Sequence, residues 1–435
     1  MPKIIPTCPS RPDRVAKNDE EHSYEISLLT PMFGGGVDAG EPDLRMPFRA
    51  TAIRGQLQFW WRATVGANCR DVAELREKHA AVWGNTGKPS EVKLVVEPCQ
   101  PADARPCGAY IPTGAGRWRF RWDADFRGGQ GIPYALFPFA GKPPAHGNNQ
   151  PAEPPARFIR AGEFALRLIY PSKFRDEVHA ALRAWVNFGG MGARARRGCG
   201  SIYCKQLAPK NLAEAAALVN ELLPNPPERT REWPTLGGPL LVGNESDALK
   251  AWASAVGALQ KFRQGERFAR NGGRDGRPGR SLWPEPETVR RITNQRMARH
   301  ERMENIPNDA FPRAELGLPI IFHFKDAGDG DPADTTLYPL VGGEKCDRMA
   351  SPLIIKAMGL ENGGAVPIVL RLRTPQLEKV QLKDAGKPPE YGPEELRGGR
   401  LAKYEKSPMA DTPSGSALDA FINFIQDEDV WGVLQ

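Results

Sequence analysis

The sequence predicts an α+β fold made of two ferredoxin-like (RRM-like, βαββαβ) domains with long loop insertions. Strand-like alternation at residues 24–29 and 163–170 is followed each time by an amphipathic helix and then by another short strand. Strand and helix patterns alternate again in the second half. The 435 residues exceed one ordinary core, and 45 Gly with 42 Pro indicate long irregular connections.

These elements divide the chain into four predicted parts. Residues 1–21 are polar and interrupted by proline, which predicts a flexible N-terminal arm. The first domain covers residues 22–223 and contains a glycine-rich loop. Residues 224–245 are rich in proline and glycine and are interpreted as a linker. Residues 246–435 form the second domain, with a helical insertion.

Helix starts in the second domain are predicted from capping residues. Ser246 precedes an apolar stripe at helical spacing, and Ser416-x-x-Asp419 reads as a capping box before the last helix. Between them, a polar and arginine-rich helix is predicted over residues 287–303.

Positive charge is concentrated in two islands. The net charge is +7, and residues 157–205 alone carry ten Lys or Arg against three acids. Residues 261–303 carry twelve against five, so each island is itself +7. Two basic islands in a slightly acidic background indicate contact with a polyanion, although ordinary solvated charged faces would give the same pattern.

Membrane and secretory classes are disfavoured by the sequence. It contains no run of about 18 apolar residues, so no membrane partner is expected, and its start lacks the apolar segment of a secretory signal. Seven cysteines, an odd and widely scattered set, indicate a reducing compartment. The predicted localisation is therefore cytoplasmic.

A helix predicted over residues 51–65 carries polar and aromatic residues on adjoining faces. Arg54, Gln58 and Arg62 recur every four residues, so their side chains can follow successive phosphates. The alternative is that these three residues form an ordinary solvated face of the helix without an RNA contact. Trp60 and Trp61 lie on or near the apolar stripe, where core packing competes with stacking on bases.

The segment GGMGARARRGCGS at residues 189–201 follows the second predicted helix. Its glycines permit positive φ and a close approach to a phosphate, and no acid neutralises its three arginines. It is neither a P-loop nor a dinucleotide fingerprint, because no Gly-Lys-Ser/Thr follows and it does not join a strand to a helix. A glycine-rich helix C-cap with incidental arginines is the alternative.

This loop resembles the hallmark of the RAMP (repeat-associated mysterious protein) superfamily. With residues 29–36 (LTPMFGGG) and 54–62 (RGQLQFWWR), it is similar to one branch, the first RAMP-module subunits of type III-B CRISPR (Cmr) effector complexes. That branch usually has arginine where this chain has Gln58. Residues 348–353 (RMASPL) extend the similarity into the second domain.

The resemblance implies a non-catalytic, RNA-binding subunit without a cofactor or a metal. Its partners would be the guide RNA (crRNA), whose 3′ region it would hold together with the paired target RNA, and other RAMP subunits of the complex. The predicted RNA-contact residues are Arg54, Gln58, Trp61, Arg62, Gly190, Gly192, Arg194, Arg196, Arg197 and Gly198.

Two other functions stay open. Relatives in the superfamily cut RNA, and Asp38 and Asp43, with Glu41, occupy a loop in which a metal-dependent endoribonuclease could hold its divalent ion. None of the six histidines falls in the glycine-rich loop, and no hydrolase or Walker motif occurs. The third possibility is a scaffold whose basic islands bind protein.

Overall fold

The structure is a computed structural model. It describes residues 18–38, 40–98, 103–114, 116–127, 131–145, 147–273, 279–298, 310–325, 327–383, 390–391, 407–410, 412, 414–427 and 431. Its helices are α1 (Ala50–Ala63), α2 (Val72–Trp83), α3 (Ala124–Arg127), α4 (Ile132–Leu136), α5 (Arg175–Phe188), α6 (Leu212–Leu222), α7 (Ala248–Gln264), α8 (Glu285–Thr293) and α9 (Ala417–Asp427).

The strands form several antiparallel sheets. In chain order they are β1 (Asp19–Leu28), β2 (Met32–Phe33), β3 (Lys93–Pro98), β4 (Ala104–Pro106), β5 (Gly108–Gly114), β6 (Arg117–Trp122), β7 (Lys142–Pro144), β8 (Pro151–Glu153), β9 (Arg157–Ile159), β10 (Glu163–Pro171), β11 (Ile202–Tyr203), β12 (Leu240–Val242), β13 (Ile320–Phe322), β14 (Thr335–Val341), β15 (Glu344–Lys345), β16 (Leu353–Gly359), β17 (Ala365–Arg371), β18 (Lys379–Leu382) and β19 (Glu390–Tyr391). Helices and antiparallel sheets together confirm the predicted α+β class.

The first sheet is built from the strands that the sequence predicts. Its order is β11-β1-β10-β3, and the elements around it follow the chain as strand, helix, strand, strand, helix, strand. The central pair β1 and β10 is in register from Asp19 opposite Pro171 to Ser27 opposite Glu163. Alternate residues of β10 are buried, as expected for a sheet with one face on the core.

Two helices cover that face. Helix α1 buries Ile53, Leu57 and two adjacent tryptophans, while α5 buries a stripe that includes Trp185. Apolar residues spaced three and four apart give each helix one face that leaves water on packing. Truncating one of these tryptophans to alanine would cost about 3–5 kcal/mol of stability, the usual range for a large core residue.

The second sheet has the order β12-β17-β16 and is covered by α7 and α9. Residues 224–245, which the sequence predicts as a linker, contain strand β12. Its short apolar run pairs with β17 and so belongs to the second sheet. Within the described residues, the second half supplies strand, helix, strand, strand, helix around this sheet. Residues 432–435 lie outside the described part of the chain.

The insertion in the second half is mostly a sheet. Strands β13, β14, β15, β18 and β19 form it around a small core of its own. Helix α8 confirms only the start of the helix predicted at residues 287–303. It ends at Thr293, its C-cap Asn294 adopts a left-handed φ of 52°, and the described residues 294–298 are not helical. Asparagine tolerates that conformation better than most residues, so it stops the helix. The remainder of the predicted helix, from residue 299, lies outside the described residues, as does most of the predicted arm, residues 1–17.

The cap of α7 differs from the prediction by one residue. The side chain of Asp247, rather than of Ser246, accepts the backbone N–H of Lys250 at 2.9 Å. We therefore expect Asp247→Ala to lower the free energy of unfolding by about 1 kcal/mol and Ser246→Ala to leave it nearly unchanged. Urea unfolding of the two variants measures this; equal losses would contradict the assignment.

The last helix begins as its capping box predicts. The Ser416 hydroxyl accepts the backbone N–H groups of Leu418 and Asp419, at 3.2 and 3.4 Å. The Asp419 carboxylate turns instead to Arg371 on β17, so the reciprocal half of the box is replaced by an ion pair. No helix formed by the described residues is long and apolar enough to cross a membrane.

One hydrophobic core joins the first sheet to the second. Trp60 and Trp185, from the helices of the first sheet, belong to the same buried cluster as Ile354, Met358 and Ile368 of the second. Helix α5 contacts β16 directly, and the glycine-rich loop lies at this boundary.

Candidate nucleic-acid interface

The glycine-rich loop (residues 189–200) is held by the segment that follows β1. The backbone N–H of Gly200 donates to the Pro31 carbonyl at 2.8 Å, and that of Ala193 donates to the Phe33 carbonyl at 2.7 Å. The Thr30 hydroxyl donates to the Gly198 carbonyl at 2.6 Å. Two motifs 160 residues apart in the sequence are thus one structural unit.

Backbone conformation and close packing explain the three predicted glycines. Gly192 and Gly198 have φ of +73° and +81°, a region that side chains with a Cβ rarely adopt. A Cβ on Gly198 would also stand 2.5 Å from Nε1 of Trp252 and 3.1 Å from the Cα of Lys356. A Cβ on Gly190 would stand 2.8 Å from the Gly200 carbonyl oxygen. These positions shape the loop against the protein itself.

The three arginines of the loop have different surroundings. Arg197 donates to the Leu353 carbonyl at 3.0 Å, and burial lowers the pKa of its guanidinium to about 10. Arg196 donates to the Ser351 carbonyl and lies over the ring of Phe59, 5.8 Å from its centre. Both therefore fasten the loop to the start of β16. Arg194 lies in the left-handed region with φ of 59°; its side chain makes no hydrogen bond to the described residues, and its Nε is buried without a partner there.

A buried lysine underlies the same loop. The Nζ of Lys356, on β16, donates to the Gly189 carbonyl at 2.7 Å, and the residue has no exposed surface. No carboxylate among the described residues lies within 4.0 Å of it. Removal from water disfavours the charged amine, so the pKa of Lys356 falls to about 7.

The two basic islands meet in one cleft. The loop forms one wall, while α8, the end of α7 and residues near β13 and β16 form the others, around a volume of about 1460 Å³. This basic cleft is lined by two acids, Glu287 and Asp331, and by ten basic residues: Arg194, Arg196, Arg197, Arg263, Arg270, Arg280, Arg290, Arg313, Lys325 and Arg348.

Part of this charge is neutralised within the protein. Arg290 donates two hydrogen bonds, of 3.0 and 2.9 Å, to the Asp331 carboxylate. Two further ion pairs join Arg280 to Glu287 at 3.0 Å and Arg313 to Glu285 at 3.1 Å. The other cations have no carboxylate within 4.0 Å in the part of the chain that the structure describes. Five of these are not engaged by backbone carbonyls either: Arg194, Arg263, Arg270, Lys325 and Arg348. They leave the cleft with an uncompensated positive field.

Aromatic rings border the cleft beside these cations. Phe137 is 64% exposed, and the Arg194 guanidinium lies 6.0 Å from its ring centre. Tyr134 and Phe59 line the same space. Exposed rings beside arginines can stack on bases in any sequence. Gln56 and Phe59 also face the cleft from α1, although no pattern in the sequence marked them as contact residues.

The RNA contacts predicted on α1 lie outside the lining of the basic cleft. Arg54 donates to the carbonyls of Trp83 and Val92, at 2.7 and 3.2 Å, and Arg62 donates to Nε2 of His79 at 3.5 Å. Trp61 is fully buried and donates to the Glu177 carboxylate at 2.8 Å, so a base could reach its ring only after a local rearrangement. Gln58, half-buried, also lies outside the cleft lining.

The acidic loop after the first strand has a local structural role. The Asp43 carboxylate accepts the backbone N–H groups of Arg45 and Met46, both at 3.0 Å, and the bond from Met46 and then that from Arg45 lower the pKa of Asp43. Asp38 is exposed. Among the described residues, no group of three His, Cys, Asp or Glu side chains is close enough together to hold a metal ion.

Comparison with known proteins supports the resemblance. Residues 25–203 match the family model of the RAMP superfamily, which confirms the similarity predicted from the glycine-rich loop. The CRISPR system Cmr subunit Cmr1-2 of Pyrococcus furiosus is 24% identical over 194 residues, which are 43% of this chain and 96% of that protein.

Solved structures similar to the chain include Cmr proteins. The apo form of Cmr1 from Pyrococcus furiosus has a TM-score of 0.47 and 14% identity, over 82% of this chain and 89% of that one. A chain of the type III-B Cmr-beta complex bound to cognate target RNA has a TM-score of 0.43 and 10% identity, over 80% and 94%.

Proposed function

We propose that this chain is a non-catalytic, RNA-binding subunit of a type III-B CRISPR (Cmr) ribonucleoprotein effector in the cytoplasm. In this proposal it holds the 3′ region of the crRNA and its paired target RNA, beside other RAMP subunits. The match to the RAMP model and the similarity to a Cmr subunit support the assignment to the complex. We further propose that each half is a ferredoxin-like domain, since both follow the strand-helix-strand-strand-helix order.

The basic cleft is the observation that carries the RNA-binding role. Ten basic residues and two acids line a space of about 1460 Å³, and five of the cations have neither a carboxylate nor a carbonyl partner within the described part of the chain. Phosphate groups bind such a surface by displacing counterions, which makes the affinity large, independent of sequence and strongly dependent on salt. The aromatic rings at the border of the cleft can stack on bases, and this contact also depends little on the RNA sequence.

The predicted contact residues take two roles in this proposal. Arg194 contacts RNA directly, together with the unpartnered cations of the cleft. The shape of the loop is set by Gly190, Gly192 and Gly198 and by the carbonyl contacts of Arg196 and Arg197. These two arginines add positive electrostatic potential to the cleft but few direct contacts to RNA. A separate RNA contact on the other side of α1 is still a prediction; it would involve Arg54, Gln58, Trp61 and Arg62.

Lys325 and Arg348 offer a test that leaves the fold intact, because both side chains are exposed. We expect the double variant Lys325→Gln/Arg348→Gln to bind RNA about tenfold or more weakly than the wild type in moderate salt. The slope of log affinity against log salt should fall by about 2, one for each lost phosphate contact. Fluorescence anisotropy across a salt series measures both quantities.

The matched control is Arg70→Gln/Lys88→Gln, which removes two exposed charges outside the cleft. Equal binding by the two double variants would overturn the role of the cleft. Binding that ignores salt and survives Arg194→Glu would favour a protein-docking scaffold. If RNA incubated with magnesium is shortened and Asp38→Ala abolishes the shortening, the chain is instead an endoribonuclease.

A further inference from the structure

The hairpin of β5 and β6 carries a row of arginines that the basic cleft does not use. Arg117, Arg119 and Arg121 alternate with aromatic residues along β6, and all three are exposed. Their neighbours on the same face of β5 are small or apolar: Ala109 stands opposite Arg121, and Ile111 opposite Arg119. The sequence from residue 104 to residue 122 contains no Asp or Glu, so nothing on the hairpin neutralises the row.

The other face of the hairpin is anchored. Phe120 stacks edge-on against Tyr110 and Trp122, with ring centres 5.0 and 4.7 Å apart. Both Phe120 and Trp122 pack on a buried hydrophobic cluster that includes Phe126 and Trp252. The Tyr110 hydroxyl donates to the Gly141 carbonyl at 3.2 Å. The arginine face is therefore presented to solvent by a fixed platform.

Strand geometry sets the spacing of the row. Alternate residues of a strand are about 6.8 Å apart and point to the same side, so three guanidinium groups form a regular ladder. That repeat is comparable with the distance between neighbouring phosphates of an extended nucleic-acid strand. Like charges at this spacing repel one another, and a polyanion removes the repulsion. The aromatic residues that anchor most protein interfaces face inward here, which favours a nucleic-acid partner.

The hairpin and one wall of the cleft pack on the same hydrophobic cluster. Phe120 and Trp122 pack on the same cluster as Tyr134, whose ring lines the cleft, and Phe137 follows on the next turn. A strand leaving the cleft over this rim would pass from one charged surface to the other.

We propose that the outer face of the β5–β6 hairpin is a second RNA-binding site, which takes the phosphates of a strand that extends beyond the cleft. The ligand class is a phosphodiester backbone, read without regard to base sequence. The inference rests on the proposed function, because it takes RNA as the polyanion of the cleft.

RNA length separates the two sites. With the full chain, the triple variant Arg117→Gln/Arg119→Gln/Arg121→Gln should bind an RNA of about 30 nucleotides at least tenfold more weakly, with a salt slope lower by about 3. It should bind an RNA of about 6 nucleotides, a length within the range of one single-strand site, as well as the wild type does. The corresponding Arg→Lys triple variant should retain most of the affinity for the long RNA.

A matched control removes three exposed charges elsewhere, in Arg70→Gln/Arg76→Gln/Lys88→Gln. The proposal is overturned if the hairpin variant binds the long RNA as the control does, or if it loses affinity for both lengths equally. Unchanged RNA binding with lost capture of a protein subunit would overturn it in favour of a protein interface. A different result would show that the cleft does not bind RNA while the hairpin does. In that case Lys325→Gln/Arg348→Gln would leave short-RNA binding unchanged, and the hairpin variant would still weaken long-RNA binding.

Discussion

Replacing Gly198 with alanine is expected to lower the free energy of unfolding by about 3 kcal/mol. The residue has a φ of +81°, where a Cβ costs about 1–2 kcal/mol. The added methyl would also meet the Trp252 indole and the backbone of Lys356, and overpacking of a dense site costs about 1–3 kcal/mol more. Chemical denaturation followed by tryptophan fluorescence measures the change.

The control for this prediction is Gly363→Ala. Gly363 has a similar φ of +88°, but a Cβ there would meet no atom within 4 Å. It should therefore show the conformational cost alone, about 1–2 kcal/mol. If both variants lose the same stability, the contact between the glycine-rich loop and Trp252 is looser than the structure shows.

Lys356→Met is expected to remove a large pH dependence from the stability of the protein. Burial lowers the pKa of Lys356 to about 7 in the folded chain, while an unfolded lysine keeps a pKa near 10.5. Between these values the unfolded state holds a proton that the folded state has released. Stability therefore rises with pH in this window, by up to about 1.4 kcal/mol per pH unit.

The difference between the two proteins isolates this lysine. The free energy of unfolding of the wild type minus that of Lys356→Met should increase from pH 7 to pH 10 and level off above the unfolded pKa. Below pH 7 both states are protonated, and the full cost of the buried charge is present. The lost hydrogen bond to Gly189 shifts the variant equally at every pH, so it cancels from the slope.

Lys205→Met is the matched control, because it removes an exposed lysine and leaves the buried one in place. Urea unfolding at several pH values supplies the data. A flat difference between wild type and Lys356→Met across the window would mean that Lys356 keeps its charge in the folded protein.

Local patterns were sufficient to predict most elements of the first sheet. Each of these elements buries one face, and burial of one face produces a periodic pattern of apolar residues. The pattern alternates in β1 and β10 and forms stripes at helical spacing on α1 and α5. The class, the helices and the strands around the first sheet follow from them. Strand β12 was missed because three apolar residues between prolines and glycines carry too little periodicity to distinguish a strand from a linker.

The site was predictable only in part. The glycine-rich loop marked one wall of the cleft, and the charge of residues 261–303 marked Arg263 and Arg270 as basic, but no spacing showed that both line one space. Lys325 had no signal, since single cations in loops are common, and Arg348 was marked only as the first residue of the RMASPL segment, which did not by itself predict an RNA contact. Nor could spacing show that Arg196 and Arg197 donate to carbonyls of residues 351–353, because such pairings depend on the tertiary fold.

The continuous core beneath the two sheets has a thermodynamic consequence. Trp60 and Trp185 pack in the same cluster as Ile354 and Met358, so neither sheet can lose its interior without exposing that of the other. Two architectural layers that share their apolar surface in this way melt together, and calorimetry would record them as one cooperative unit. The wall that the glycine-rich loop and β16 contribute to the cleft then stays in place until this unit unfolds.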